Sequence, residues 1–298
     1  MSLSVESHVS IERVAIVGGT HGNELIGVFQ VRKFAQLPHL VQRSNFETLT
    51  LVSNAKAVEA RRRYIDTDLN RCFNPQDLQN PNLVDYEQLL AKKIAYTIQQ
   101  EKIDFIIDLH TTTSNMGLTI ILHNQHPYLL RLAAYLTTLN PLVRVLVHQF
   151  NHDNSYLIDL CELGLAIEVG PIAQGTLHAE LFQQSEALVG AILDFVERCN
   201  QGETPEIPET FTLYEQVKIL SYPRDEHKQI RAMIHPQLQA RDYELLHPGD
   251  PLFLGLDGEV ILYQGESTIT PVFINEAAYY EKDYALGLAI QQPMTLSN

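Results

Sequence analysis

The stretch Gly18-Gly19-Thr20-His21-Gly22-Asn23-Glu24 constrains this chain more than any other. An apolar run, Val14-Ala15-Ile16-Val17, precedes it, and an amphipathic segment from Leu25 to Leu37 follows. That succession predicts a buried strand, a glycine-rich turn and a helix. His21 then sits in the turn, and Glu24 follows three residues later near the first helical turn. An imidazole and a carboxylate at that spacing can point at one cation. Two ligands do not make a metal site, so the rest of the chain must supply a third ligand, a base and groups that hold a substrate.

Strand-like and helix-like segments alternate through the first two hundred residues. Strands are expected at 13–17, 46–52, 104–109, 118–122, 143–147 and 164–169, helices at 25–36, 85–100, 128–139 and 176–199, and a helical or turn segment at 54–62. The polar segment 66–81 reads as an irregular, exposed loop. Such alternation implies an α/β fold, a mostly parallel sheet flanked by helices, with its site outside the carboxyl ends of the strands. The opening stretch occupies one such end. Residues 200–209 are polar and contain two prolines, which marks a boundary. Short strands between Pro-Gly, Asp-Gly and Gln-Gly turns follow. The expected division is therefore an α/β domain over 1–205 and a smaller β-rich domain over 206–298.

His110 ends the run Asp104-Phe105-Ile106-Ile107-Asp108-Leu109-His110, and Asp108, two residues earlier, shares its face. With His21 and Glu24, His110 completes a two-histidine, one-carboxylate set that suits zinc and leaves a fourth position open. Glu168 interrupts the apolar strand Leu165-Ala166-Ile167-Glu168-Val169. A buried carboxylate there is costly unless it is paired or working, and a general base for a metal hydrolase is such work. The alternative is a glutamate facing solvent at a sheet edge. Arg61-Arg62-Arg63 and Asp68-Leu69-Asn70-Arg71 form a dense cationic cluster, whereas no lysine or arginine lies between Arg144 and Arg198. Guanidinium groups from that cluster can hold a substrate carboxylate and face an oxyanion. A solvated helix face is the plainer reading of the same charges. Of the 12 histidines, His123, His126, His148, His152 and His178 read as structural.

A net charge of -15 excludes a nucleic-acid backbone as the main partner but leaves room for a small anionic substrate met by local arginines. No apolar run is long enough to span a bilayer, no secretory signal is visible, and the three cysteines are widely spaced without a CxxC pair. A cytoplasmic protein without membrane contact is expected, and no cysteine is given a catalytic or metal role.

Five motifs now stand in order. They are the opening stretch; Arg63-Tyr64-Ile65-Asp66 with Asp68-Leu69-Asn70-Arg71; Asp108-Leu109-His110 with Thr112-Thr113-Ser114-Asn115-Met116-Gly117; Ile167-Glu168-Val169-Gly170-Pro171; and Asn275-Glu276-Ala277-Ala278-Tyr279-Tyr280-Glu281-Lys282. Together they resemble the aspartoacylase and succinylglutamate desuccinylase family, on its aspartoacylase branch, over residues 14–282. The resemblance implies a zinc-carboxypeptidase-like α/β domain whose mouth is covered by the C-terminal β-rich domain. It implies hydrolysis of an N-acyl-L-aspartate, typically N-acetylaspartate, to a carboxylate and aspartate, with one zinc ion per subunit. It assigns His21, Glu24 and His110 to the metal, Glu168 to catalysis and to substrate contact, and Arg63 to the scissile carbonyl and its oxyanion. Asn70, Arg71 and Tyr279 become substrate contacts; a homo-oligomer is compatible with it.

One departure stands out. Animal-type members carry a substrate-binding arginine shortly before the catalytic glutamate, with a tyrosine slightly earlier; here the matching position is Ile158, with Asn154, Ser155 and Tyr156 nearby and His152 before them. Three rivals to an N-acyl-aspartate substrate follow: an aromatic or succinylated N-acyl amino acid, a peptide-cleaving metallocarboxypeptidase, and a non-catalytic zinc- or ligand-binding protein.

Overall fold

Strands that are apolar on both faces need cover on both sides. The computed structural model describes residues 9–148 and 155–296. Its elements run β1 (Arg13–Gly18), α1 (Leu25–Gln36), β2 (Glu47–Val52), α2 (Ala55–Ala60), α3 (Pro75–Gln79), α4 (Tyr86–Gln100), β3 (Phe105–Thr111), β4 (Gly117–Leu122), α5 (Pro127–Leu139), β5 (Val143–His148), β6 (Leu163–Gly170) and α6 (Ala179–Asn200). After these come β7 (Thr210–Ser221), β8 (Ala232–Ile234), β9 (Pro251–Gly255), β10 (Val260–Leu262), β11 (Thr270–Val272) and β12 (Tyr284–Thr295).

Nine strands form one sheet in the order β11-β12-β7-β5-β4-β6-β3-β1-β2. Five of its eight pairings are parallel. The antiparallel ones are β4 with β6, β12 with β7, and β11 with β12. The chain after residue 206 contributes to both sheets of the molecule, because β7, β11 and β12 extend the large one while β8, β9 and β10 form a separate antiparallel sheet.

The period of two sorts the core. Val14, Ile16, Phe105, Ile107, Leu109, Leu165 and Ile167 face one cluster, which α1 closes with Ile26, Val31 and Phe34, α5 with Leu129 and Leu132, and α6 with Ile192 and Phe195. Ala15, Val17, Ile106 and Ala166 face the other, which α4 covers with Ala91, Ile94 and Ile98 and the C-terminal strands with Val272 and Ala289. Asp108, His110 and Glu168 have the parity of this second face and lie toward the carboxyl ends of β3 and β6.

The segment 66–81 departs from the exposed loop expected of it. It holds a 3-10 turn at Leu69–Arg71 and the short α3, and Leu69, Asn70, Cys72 and Phe73 are buried. Asp68 caps the turn by accepting from Asn70 N at 3.0 Å, and Asn70 Oδ1 accepts from Leu157 N at 2.8 Å. Partners far along the chain therefore satisfy the polar groups that made the segment look solvated.

Candidate active site

The turn after β1 is built for close approach. Gly19 has φ +75°, in the left-handed region, and a Cβ on Gly22 would lie 2.1 Å from the backbone of Ala57. Glu24 stands at the N-cap of α1, yet its side chain caps nothing. It turns inward: Oε1 lies 2.7 Å from His21 Nδ1, and Oε2 lies 2.9 Å from His110 Nδ1 and accepts from Thr111 N at 3.1 Å. Ligand atoms of His21, Glu24 and His110 all lie within 4.8 Å of one another, and all three residues are buried.

Each imidazole is held by its other nitrogen. His21 Nε2 is 3.0 Å from Asp68 Oδ1, and His110 Nε2 is 2.7 Å from Asp108 Oδ2, while Asp108 Oδ1 accepts from Thr20 Oγ1 at 2.9 Å. Both Nδ1 atoms thus point toward Glu24. His21 Nδ1 is short in distance but out of line, so it makes no hydrogen bond and is shut off from solvent. A buried ring nitrogen left unpaired beside a carboxylate, with the ring oriented by an outer aspartate, is the donor arrangement a zinc ion fits. Burial opposes ionisation of Glu24, but His21 and His110 hold its carboxyl well below the usual range.

Glu168 lies on β6 opposite His110 in register, with Thr119 of β4 on its other side. It stands inside the sheet, not at an edge. Among the described residues no hydrogen bond engages its carboxylate. Burial, with Glu24 and Glu276 nearby, pushes its pKa well above the ordinary value, against the pull of His110 and Arg63. Arg63 donates from Nη1 to Glu24 Oε1 at 3.2 Å and from Nη2 to Asp68 Oδ2 at 3.1 Å. Its carbonyl accepts from Gly22 N at 3.2 Å, which ties the arginine loop to the His21 turn. Arg71 packs over the Tyr156 ring at 4.3 Å.

One cavity gathers all eight residues picked out from the sequence: His21, Glu24, Arg63, Asn70, Arg71, His110, Glu168 and Tyr279. Asn70 spends its side-chain oxygen on Leu157, which leaves its amide hydrogens for the cavity. Tyr279 arrives from the C-terminal segment, packed against Phe273 at 5.6 Å and Tyr284 at 5.9 Å. The latch for that segment is Glu276, which accepts from Thr113 N at 2.7 Å, Ser114 N at 3.2 Å and the Thr112 hydroxyl.

Asp68, Glu276, His123 and His148 stand in the cavity or its frame and have no catalytic or binding role in the sequence reading. The first two stand inside quoted motifs, so their position was the available signal. The two histidines had been read as structural, but both line the cavity. His126 and His178 do cap helices, accepting from Tyr128 N and Leu181 N. His152 and Asn154 lie outside the described residues.

Known proteins resemble this chain in sequence and fold. Residues 10–196 match the succinylglutamate desuccinylase/aspartoacylase catalytic domain, and residues 209–290 the AstE/AspA barrel-sandwich hybrid domain. A probable aspartoacylase of Nostoc sp. is 54% identical over 93% of this chain and 95% of its own length. A Homo sapiens N-acyl-aromatic-L-amino acid amidohydrolase (carboxylate-forming) is 39% identical over 92% of this chain and 89% of its own. The crystal structure of murine aminoacylase 3 superposes with a TM-score of 0.92 at 36% identity, covering 97% of this chain and 98% of that one. The chain belongs to the succinylglutamate desuccinylase/aspartoacylase family of amidohydrolases.

Proposed function

We propose that the protein is a zinc-dependent amidohydrolase that cleaves N-acyl-L-aspartate, N-acetyl-L-aspartate above all, to a carboxylate and L-aspartate. The observation that carries this reading is the state of Glu168. Its carboxyl is free of protein hydrogen bonds among the described residues, made more basic by burial, and set across one strand spacing from His110. Such a group takes a proton from an attacking water and returns it to the leaving nitrogen. His21, Glu24 and His110 hold one zinc ion per subunit. Bound there, the ion supplies Lewis acidity to the attacking water and the amide carbonyl. Arg63 stabilises the negative charge that develops on the carbonyl oxygen. Arg71, the amide of Asn70 and the hydroxyl of Tyr279 orient the amino-acid end, and residues 206–298 act as the domain that closes the mouth.

A second reading, an N-acyl-aromatic amino acid substrate, is favoured by Ile158 and by the absence of lysine and arginine between Arg144 and Arg198. The human relative named above carries that activity in its name. Among the described residues no helix is long and apolar enough to cross a membrane, and the reading places the enzyme in the cytoplasm. The test is a panel of N-acetyl-L-aspartate, N-acetyl-L-phenylalanine, N-succinyl-L-glutamate and a blocked dipeptide on zinc-replete protein, with free amine measured. Fastest turnover of N-acetyl-L-aspartate is expected. Hydrolysis of nothing in the panel, with zinc bound, overturns the enzymatic reading in favour of a ligand-binding protein.

A further inference from the structure

The cavity wall across the sheet from the His21, Glu24 and His110 cluster is built at the carboxyl ends of β4 and β5. His123 directly follows β4 and His148 ends β5; Leu122 pairs with Val147 in register, so the two imidazoles are neighbours. Their ring centroids lie 5.9 Å apart with an interplanar angle of 17°. His123 is locked. Its Nδ1 lies 2.8 Å from Asp159 Oδ1, the Tyr156 ring meets it edge-on at 4.4 Å, and Asp159 Oδ2 accepts from Tyr156 N at 3.0 Å. His148 differs, because its Nε2 is buried and has no hydrogen-bond partner among the described residues. Phe273 lies against its ring at 6.0 Å between centroids, and Ile121, Ile158 and Ala166 are apolar parts of the same cavity lining.

A buried polar nitrogen without a partner is costly, and a ligand atom that pairs with it recovers that cost. A hydrocarbon ring seated against it would keep it dry and unpaired. A site built to hydrogen-bond a substrate group discriminates strongly against analogues that lack the group. Glu168 is level in register with Thr119 and Arg144, so His148 stands four residues further along β5 than the base, and the cavity that both residues line runs between them.

We propose that His148 is a specificity-determining residue, donating Nε2–H to a side-chain carboxylate oxygen of the substrate, with His123 and Asp159 as the positioning pair behind it. The inference rests on the amidohydrolase reading above. It assigns the side-chain contact to a neutral imidazole where the sequence has no guanidinium. Burial, with His123 and Arg71 nearby, pushes the His148 pKa down to about 3, which agrees with a neutral ring. Arg71, stacked on Tyr156, supplies the positive field a carboxylate needs.

The experiment measures kcat and KM of zinc-replete wild type, His148→Phe and His148→Gln on N-acetyl-L-aspartate and N-acetyl-L-phenylalanine. In His148→Phe, KM for N-acetyl-L-aspartate is expected to rise about 10- to 100-fold, with kcat little changed and kcat/KM for the phenylalanine substrate equal or higher. His148→Gln keeps a donor and should recover most of the loss. An unchanged KM for N-acetyl-L-aspartate in His148→Phe overturns the proposal, as does equal loss on both substrates in both variants, the mark of a structural role. A wild type that prefers the phenylalanine substrate also overturns it. Wild type inert on both, with zinc bound, overturns instead the amidohydrolase reading beneath it.

Discussion

Two pairs of histidines line one cavity, and they differ in the carboxylates around them. At the β1 and β3 end, His21 and His110 share Glu24 between them, and each has an aspartate behind it, Asp68 and Asp108. At the β4 and β5 end, Asp159 reaches His123 alone, and among the described residues no carboxylate bonds His148. The consequences run in opposite directions. Burial works against a charged His110, but Asp108 and Glu24 hold its pKa well above the ordinary value. Burial, His123 and Arg71 drive His148 down to about 3. Imidazoles at strand ends thus become a cation site when carboxylates converge on them, and a hydrogen-bonding wall when they do not.

The largest expected effect breaks the carboxylate-rich end. His110→Ala removes one imidazole and leaves Glu24 and Asp108 without the group between them. Loss of stoichiometric zinc by elemental analysis and of turnover to background is expected; a variant that keeps one zinc per chain would take His110 out of the ligand set. Glu168→Gln should keep the zinc and lower kcat by about 10²- to 10⁴-fold. Near-wild-type turnover there would remove Glu168 as the base. Asp68→Asn tests the aspartate behind His21, and a loss of about 10- to 100-fold in zinc affinity is expected from removing an outer carboxylate, read by competition with a chelator. No change would mean that Asp68 serves Arg63 alone.

The two ends also differ in how far the sequence reveals them. The turn carrying His21 and Glu24, the strand carrying Asp108 and His110, and the polar break at Glu168 are local patterns, each readable from neighbours a few residues away. Alternation of strands and helices likewise gave the α/β sheet, because burial on both faces writes itself into every strand. The far wall has no such signature. His123 and His148 meet only because β4 and β5 pair in register, and nothing beside either residue separates them from the capping histidines His126 and His178. The segment 66–81 misled for a related reason: Asp68 and Asn70 look solvated until the His21 ring and Leu157 are brought to them. Glu87 is the plainest case. In an amphipathic helix it reads as a surface acid, yet its exposure is 0%, since the donors it serves come from upstream loops.

Glu87 gives the smallest effect on turnover and the sharpest test of how the metal end is held. Its Oε1 accepts from Asn54 Nδ2 at 3.1 Å and Ile65 N at 2.7 Å, and its Oε2 from Asp66 N at 2.9 Å and Thr67 N at 3.2 Å. Three of those donors belong to the loop that begins at Arg63, and the fourth, Asn54, caps α2. In Glu87→Gln, one oxygen becomes an amide group that faces two donors and bonds neither. Two hydrogen bonds to a charge are lost, so stability should fall by about 2–4 kcal/mol, read from denaturant midpoints. Displacement of Arg63 should lower kcat about tenfold with less effect on KM. A purely global role would move stability alone, so the deciding measurement is a double-mutant cycle. If Glu87 acts through Arg63, then in an Arg63→Ala background the glutamine should cost no further kcat, whereas independent sites give additive losses. Additive losses would place the effect of Glu87 elsewhere and leave Gly22, which donates to the Arg63 carbonyl, as the tether that matters.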